Sequence, residues 1–233
     1  MLGVFLPRDP RREMVERAGM RLAATILALL CVAGGYRRQV VLHGTPFPST
    51  LVVLVDNSGS MAESPYACAI RQAMWAADQA GDGARVRFAT FGSELVWQER
   101  PAIRGTEPTR TNAAGVVVAA DPWIKLPDAE ALAISRAWLQ AQGTGGSTAL
   151  ANAVEAALSL KESPLGLIVV SDCEPDGGHE ATLARIEKTN AARRGGPATI
   201  GVISVAPGRD AKKFALLVAE AAGGPVVELE AKK

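Results

Sequence analysis

The sequence predicts an α/β protein built on a doubly wound, mostly parallel open sheet, with helices on both faces and one antiparallel edge strand. Short and almost wholly apolar runs at residues 51–55, 165–170 and 198–205 read as strands buried on both faces, which is how strands of a parallel sheet read. Segments with apolar residues at helical spacing lie between them, so helix and strand alternate through the second half of the chain. The first two of these strands each run into an acid, Asp56 and Asp172, and hydroxyl residues crowd around the first. At 233 residues and 48% hydrophobic content the chain is long enough for one main domain with a sizeable core.

In chain order, residues 1–35 come first. Arg21 precedes an apolar run over 22–33, followed by Gly34 and Gly35, and Met20 is a plausible alternative start. The run matches a signal-peptide core and is shorter than the roughly 20 residues that span a bilayer. With Arg8, Arg11, Arg12 and Arg17 ahead of it, the segment also suits an uncleaved signal anchor whose positive flank stays in the cytoplasm. Both readings place the main domain outside the cytoplasm, as an exported, periplasmic or membrane-anchored protein, with membrane attachment through this segment in the second case. Residues 36–48 hold Pro46 and Pro48 and read as a linker or an edge element, and the domain proper is expected over 49–230.

Within it the first strand, 51–56, is followed by a helix over 63–80 with Pro65 early and Gly81 just past its end. A strand at 84–91, a tight turn at Gly92-Ser93 and a second strand at 94–98 form a hairpin. Residues 99–127, with Pro101, Pro108, Pro122 and Pro127 and no sustained period, are expected to be a long irregular connection. Asp128 caps a helix to Gln142 whose packed face is Ala131, Leu132, Ile134, Ser135, Trp138 and Leu139. A Gly-rich loop at 143–148 leads into a helix over 149–161, a strand over 165–170, a helix over 180–193, a strand over 198–205, a helix over 210–222 and a short last strand at 225–229.

The chemistry converges on one edge of this sheet. Ligands of open α/β sheets bind outside the carboxyl ends of strands, where strand order reverses. The strands ending at Asp56 and Asp172 are the candidates for that position, and Asp56-x-Ser58-x-Ser60 adds two hydroxyls from one tight loop. Because strand 94–98 runs back to the far edge, the helix from Asp128 has to climb again, which delivers Thr148 to the same crevice and leaves the 99–127 insert at the far edge. One or two carboxylates with several hydroxyls are hard oxygen donors, the set that Mg²⁺ prefers.

Asp56-x-Ser58-x-Ser60, Thr148 within Gly145-Gly146-Ser147-Thr148-Ala149-Leu150, and Asp172 within Val169-Val170-Ser171-Asp172 resemble the three parts of the metal-ion-dependent adhesion site of von Willebrand factor A domains. The resemblance spans about residues 49–230. It implies a Rossmann-like sheet and a Mg²⁺ ion (or Mn²⁺ or Ca²⁺) held by the hydroxyls of Ser58, Ser60 and Thr148, with Asp56 and Asp172 acting directly or through waters. It also implies a protein partner that presents Asp or Glu to the metal. Cys173 departs from the family pattern, which often has Gly after this Asp.

Other chemistries are less well supported. Glu174, Asp176 and His179 invite a metal-dependent hydrolase with His179 or Asp176 as base, but the chain has only two His, and His179 reads as a solvated residue near a helix start. A metal-free structural domain is the remaining alternative. No phosphate-binding Gly-x-x-x-x-Gly-Lys-Ser/Thr loop occurs. Residues 1–39 carry seven Arg against three acids, which leaves 18 basic against 21 acidic residues, or −3, in the rest; that balance argues against a nucleic-acid partner. Cys31, Cys68 and Cys173 lack the spacing of a metal knuckle or a disulfide framework.

Overall fold

The computed structural model describes residues 36–41, 48–102 and 107–231, so the expected signal or anchor segment and residues 42–47 of the expected linker lie outside the described residues. Among the described residues, no helix is long and apolar enough to cross a membrane. The chain divides into two units, Met1–Arg38 with Glu230–Lys233, and Gln39–Leu229. The described residues of the first, 36–38 and 230–231, are strand. The second contains all the candidate site residues.

Among the described residues, ten strands and five helices follow one another: β1 (Tyr36–Val41), β2 (Thr50–Asp56), a 3₁₀ turn (Gly59–Met61), α1 (Ser64–Gln79), β3 (Arg85–Phe91), β4 (Leu95–Trp97), β5 (Thr109–Thr111), β6 (Val117–Ala119), β7 (Ile124–Lys125), α2 (Ala129–Ala141), α3 (Leu150–Leu158), β8 (Gly166–Ser171), α4 (His179–Ala191), β9 (Thr199–Val205), α5 (Arg209–Ala222) and β10 (Gly223–Ala231). The main sheet has the order β1-β10-β9-β8-β2-β3-β4, with β7 pairing to β3 off that path. Strands β10, β9, β8, β2 and β3 are mutually parallel, and β4 is the expected antiparallel edge strand.

Strand alternation sorts the core into two layers. Val52 and Leu54 of β2, with Leu167 and Val169 of β8 and Ile200 and Val202 of β9, face Val154 of α3, Ile186 of α4 and Phe214 of α5. Leu51, Val53 and Val55 point the other way, to the side covered by α1. Helix α1 starts with Pro65 in its first turn, where a missing N–H costs nothing, and α5 ends in the left-handed Gly223. Beside it, a side chain on Gly224 would stand 2.0 Å from the Ile200 carbonyl oxygen, so glycine there lets β10 close onto β9.

Two expectations need correction. Residues 99–127 are not an irregular connection: β5 and β6 form a separate antiparallel hairpin, and β7 pairs with Val86 and Arg85 of β3. The hairpin turn is local chemistry, with Asn112 Oδ1 accepting from the Ala114 and Val116 N–H groups and Gly115 at φ +77°. Strands of two or three mostly exposed residues carry no hydrophobic period, so pattern alone passes over them. The packed face of α2 is also narrower than its sequence suggests, since only Ser135 and Leu139 are buried. The helix lies against α1, anchored by the Tyr66 hydroxyl donating to the Leu139 carbonyl at 2.8 Å, so Ile134 stays 38% exposed. The capping role of Asp128 holds, its Oδ1 accepting from Ala131 N–H at 2.9 Å.

Trp123 shows what the insert does for the core. It is buried, donates from Nε1 to Glu162 at 3.0 Å and lies under the Arg85 guanidinium. Trp123→Ala should therefore lower unfolding free energy in urea by about 3 kcal/mol or more, the scale of an aromatic truncation in a core. Val116→Ser, at the exposed hairpin tip, should leave the midpoint in place.

Candidate functional site

Asp56 is the last residue of β2, and β2 lies between β3, reached through α1, and β8, reached only after the chain has crossed to the other side. Its carboxyl ends at the switch point of the sheet. Three distant segments are tied together at that edge. In the first, Ser58 N–H donates to Asp56 Oδ1 at 2.8 Å, and the Ser58 and Ser60 hydroxyl oxygens lie 3.1 Å apart across the 3₁₀ turn. In the second, Gly145 N–H donates to the Asn57 carbonyl at 2.9 Å, Gly59 N–H to the Gly146 carbonyl at 3.1 Å, and Asn57 Nδ2 to the Gly143 carbonyl at 2.9 Å. This binds the Gly-rich loop carrying Thr148 directly to the loop carrying Ser58. In the third, Asp176 N–H donates to the Thr148 carbonyl at 3.0 Å, which brings the segment after Asp172 alongside.

The expected donors differ in exposure. Asp56 and Ser58 are fully buried, Thr148 and Asp172 nearly so, and Ser60 opens to solvent. Gly146 has φ +75°, and a Cβ on it would meet Ser93 Oγ at 2.2 Å; that same Ser93 hydroxyl accepts from Ser147 N–H. The glycine thus lets the loop pack on the β3–β4 turn and present Thr148 inward.

Sequence reasoning gave no role to Ser171, the residue that joins the two acids. Its hydroxyl donates to Asp56 Oδ2 at 2.5 Å and accepts from Cys173 N–H at 2.9 Å. The available signal was its position, last in a buried strand and directly before Asp172, where a polar side chain has to find a partner. Cys173 takes φ +63°, so the loop keeps the left-handed backbone that a glycine would adopt freely, at a cost of about 1–2 kcal/mol for a residue with a Cβ. The buried thiol lies 3.6 Å from the Ser204 hydroxyl, which donates to it, and is pushed up to about 12, chiefly by burial. Cys68 and Cys173 are separate buried thiols.

Electrostatically the edge is acidic and uncompensated. Burial pushes the Asp56 carboxyl up to about 6 and Asp172 adds to the effect, while the hydrogen bonds from Ser171 and Ser58 oppose it; no basic group among the described residues contributes. The Tyr66 hydroxyl is raised to about 12 by its own burial and by the Asp56 charge. Among the described residues there is no cluster of three or more His, Cys, Asp or Glu side chains suited to a metal, so the site's capacity rests on hydroxyls with two carboxylates. That set fits a hard, oxygen-seeking cation and does not fit a thiolate- or imidazole-bound one.

His179 stands at a helix start with its side chain 31% exposed, as expected, but it is engaged as well as solvated. It opens α4 with Nε2 3.0 Å from the Cys173 carbonyl oxygen and 3.5 Å from Glu174 Oε2, and its ring packs 5.0 Å from Phe214. Asp176 is exposed and contributes its main chain.

No family model matches the chain, and no curated protein matches it. Solved structures do. The chain is similar to a von Willebrand factor type A protein from Catenulispora acidiphila, with 16% identity, 83% of this chain and 45% of that one covered, and a TM-score of 0.52. It is similar as well to the PilB minor pilin from Streptococcus sanguinis, with 13% identity, 83% and 59% covered, and a TM-score of 0.52. The chain thus spans about half the length of these two structures. The likeness is one of fold: the chain has an α/β fold like that of von Willebrand factor type A domains, with a mostly parallel sheet and flanking helices.

The raised Asp56 carboxyl makes a signed prediction for protein kept in EDTA. Between an ordinary value of 3.8 and about 6 the folded state binds the proton more tightly than the unfolded chain. This residue's contribution to stability is therefore full below the lower value and is lost as pH rises through the upper one. Measured against Asp56→Asn, whose residue 56 does not titrate, wild type should lose about 2 kcal/mol of relative stability between pH 4 and 7, an order-of-magnitude figure from the two values. Ser171→Ala, which removes the largest opposing hydrogen bond, should move that loss to higher pH.

Proposed function

We propose that the chain is a metal-dependent protein-binding domain for adhesion or assembly. Asp56, Ser58, Ser60, Thr148 and Asp172 hold Mg²⁺, or Mn²⁺ or Ca²⁺ in its place, and a partner protein is recognised by an Asp or Glu side chain. The observation that carries this reading is the joining of three separated loops around a buried carboxylate that no basic side chain among the described residues offsets. A cation bound there would supply an electrophilic position for a carboxylate oxygen of the partner. The chain's own residues do the rest. Ser171 and Ser58 N–H orient Asp56, the Gly143 and Gly146 carbonyls fix the two hydroxyl-bearing loops against each other, and Glu174 N–H donates to Asp172 Oδ1 at 3.2 Å to aim the second acid.

On this reading the domain is not an enzyme. A hydrolase needs a base facing the reacting water, and His179 Nε2 is engaged with the Cys173 carbonyl while Asp176 projects to solvent. The N-terminal segment, as signal peptide or anchor, would present the domain outside the cytoplasm, where Mg²⁺ and partner proteins meet it.

Calorimetric titration of Mg²⁺ tests the site. Wild type should give saturable heat and a higher melting temperature with metal, since a ligand specific to the folded state stabilises it by mass action. Asp56→Ala and Thr148→Ala should abolish both responses. Equal heats in wild type and Asp56→Ala would end the proposal.

A further inference from the structure

We propose that the domain carries a second protein-binding surface, a basic groove at the pole opposite the acidic crevice that receives an acidic segment of a partner. The proposal does not depend on metal at the crevice.

Helix geometry sets the location. Helix α3 begins two residues after Thr148, and α4 begins at His179 beside the Cys173 carbonyl, so both start at the crevice. Each returns the chain to the edge where the next parallel strand begins. At about 1.5 Å per residue, their C-termini lie roughly 14 and 20 Å away along the helix axes. Ser163 Oγ, donating to the Gly195 carbonyl, ties the two helix exits together there. Between these ends lies a groove of about 880 Å³.

The floor of the groove is apolar and rigid. Leu158 is buried and Leu160 half-buried, and Arg193 fastens the loops beneath them by donating from Nε to the Leu158 carbonyl at 3.2 Å, from Nη1 to Gly196 at 2.9 Å and from Nη2 to Leu160 at 3.2 Å, with a further bond to the Glu162 carbonyl. Arg193 is thus structural. Arg185 is also committed, paired with both Glu155 carboxylate oxygens and with Asn152 Oδ1. Glu155 is the one acid lining the groove, and that pairing occupies it.

Three cations remain. Lys161, Lys188 and Arg194 are exposed on the groove lining and have no ion-pair partner among the described residues. They gather in a body of the chain that is on balance acidic, 18 basic against 21 acidic residues after position 39, so the local excess runs against the average. An unpaired cationic rim around a recessed aliphatic floor matches a segment that carries carboxylates and leucine-like side chains together: the charges steer and orient it, and the aliphatic contacts are desolvated. A nucleic acid would find no aromatic side chain on which to stack a base. A membrane would meet apolar residues that are sunk below the charges and do not project beyond them.

Fluorescence anisotropy with a labelled Glu-Leu-Asp-Glu-Leu peptide, in EDTA throughout, tests the groove separately from the crevice. The purified protein should bind the peptide and fail to bind its Gln/Asn counterpart, and affinity should fall as NaCl rises from about 50 to about 300 mM. Combined Lys161→Glu, Lys188→Glu and Arg194→Glu should weaken binding by about tenfold or more, and Lys188→Glu alone by less. Absence of peptide binding, full binding in the triple variant with an unchanged melting temperature, or tighter binding to phosphatidylserine vesicles or single-stranded DNA than to the peptide would overturn the proposal. Failure of Mg²⁺ binding at the crevice would leave it standing.

Discussion

Burying a carboxylate at the end of a central strand is unfavourable unless something holds its charge, and much of the upper edge of this domain is arranged around that problem. Asp56 is fully buried between two neighbouring strands, and its two oxygens are divided between the Ser58 main chain and the Ser171 side chain. Ser58 belongs to the residue's own loop, Ser171 to the adjacent strand. Because Ser171 also accepts from Cys173 N–H, the position of Asp56 is linked to the shape of the loop bearing Asp172. Neither hydrogen bond neutralises the charge, so the carboxyl stays raised to about 6. On the proposed reading, a cation at this edge would offset that charge.

The parallel crossover explains why this edge can be built at all. A sheet whose strands β3 and β8 flank β2 leaves a gap between the loops that depart in opposite directions, and the Gly-rich loop fills it. Main-chain hydrogen bonds from Gly145 to Asn57 and from Gly59 to Gly146, with the Asn57 side-chain amide donating to Gly143, do the joining, so side chains such as Thr148 are free to face inward. The last strand of the insert lies away from this edge, since β7 meets β3 at Arg85 and Val86, the start of the strand and the end opposite Asp56. Its contribution is Trp123 in the core.

What could be read from sequence divides along a physical line. Long apolar strands, amphipathic helices and the capping Asp128 announce themselves through periodicity and composition, and the order of those elements was enough to bring Asp56, Thr148 and Asp172 to one edge. The β5–β6 hairpin was not legible because its strands are three residues long and largely exposed, and its turn depends on an Asn side chain bonding its own neighbours. Ser171 was not legible for a different reason: a serine at a strand end has many uses, and only the strand register makes Asp56 its partner. The exposed face of α2 shows the limit of periodicity, which marks a stripe as apolar without saying how much of it a neighbour will cover.

Cys173 bears on how firmly the edge is held. A left-handed backbone at a residue with a Cβ persists only where its surroundings over-determine it, and here several constraints agree. The N–H is taken by Ser171, the carbonyl by His179, and the thiol is buried beside Ser204 of the next strand. Glycine would relax the backbone but would abandon the contact with β9 and leave a void behind Asp172. The cysteine therefore trades local strain for a packed side chain that fixes the Asp172 loop against the sheet. The same loop reaches the crevice on one side and, through His179, the start of α4 on the other. Rigidity at this corner is consequently shared by the acidic edge and by the helix that carries Lys188 to the basic groove at its far end.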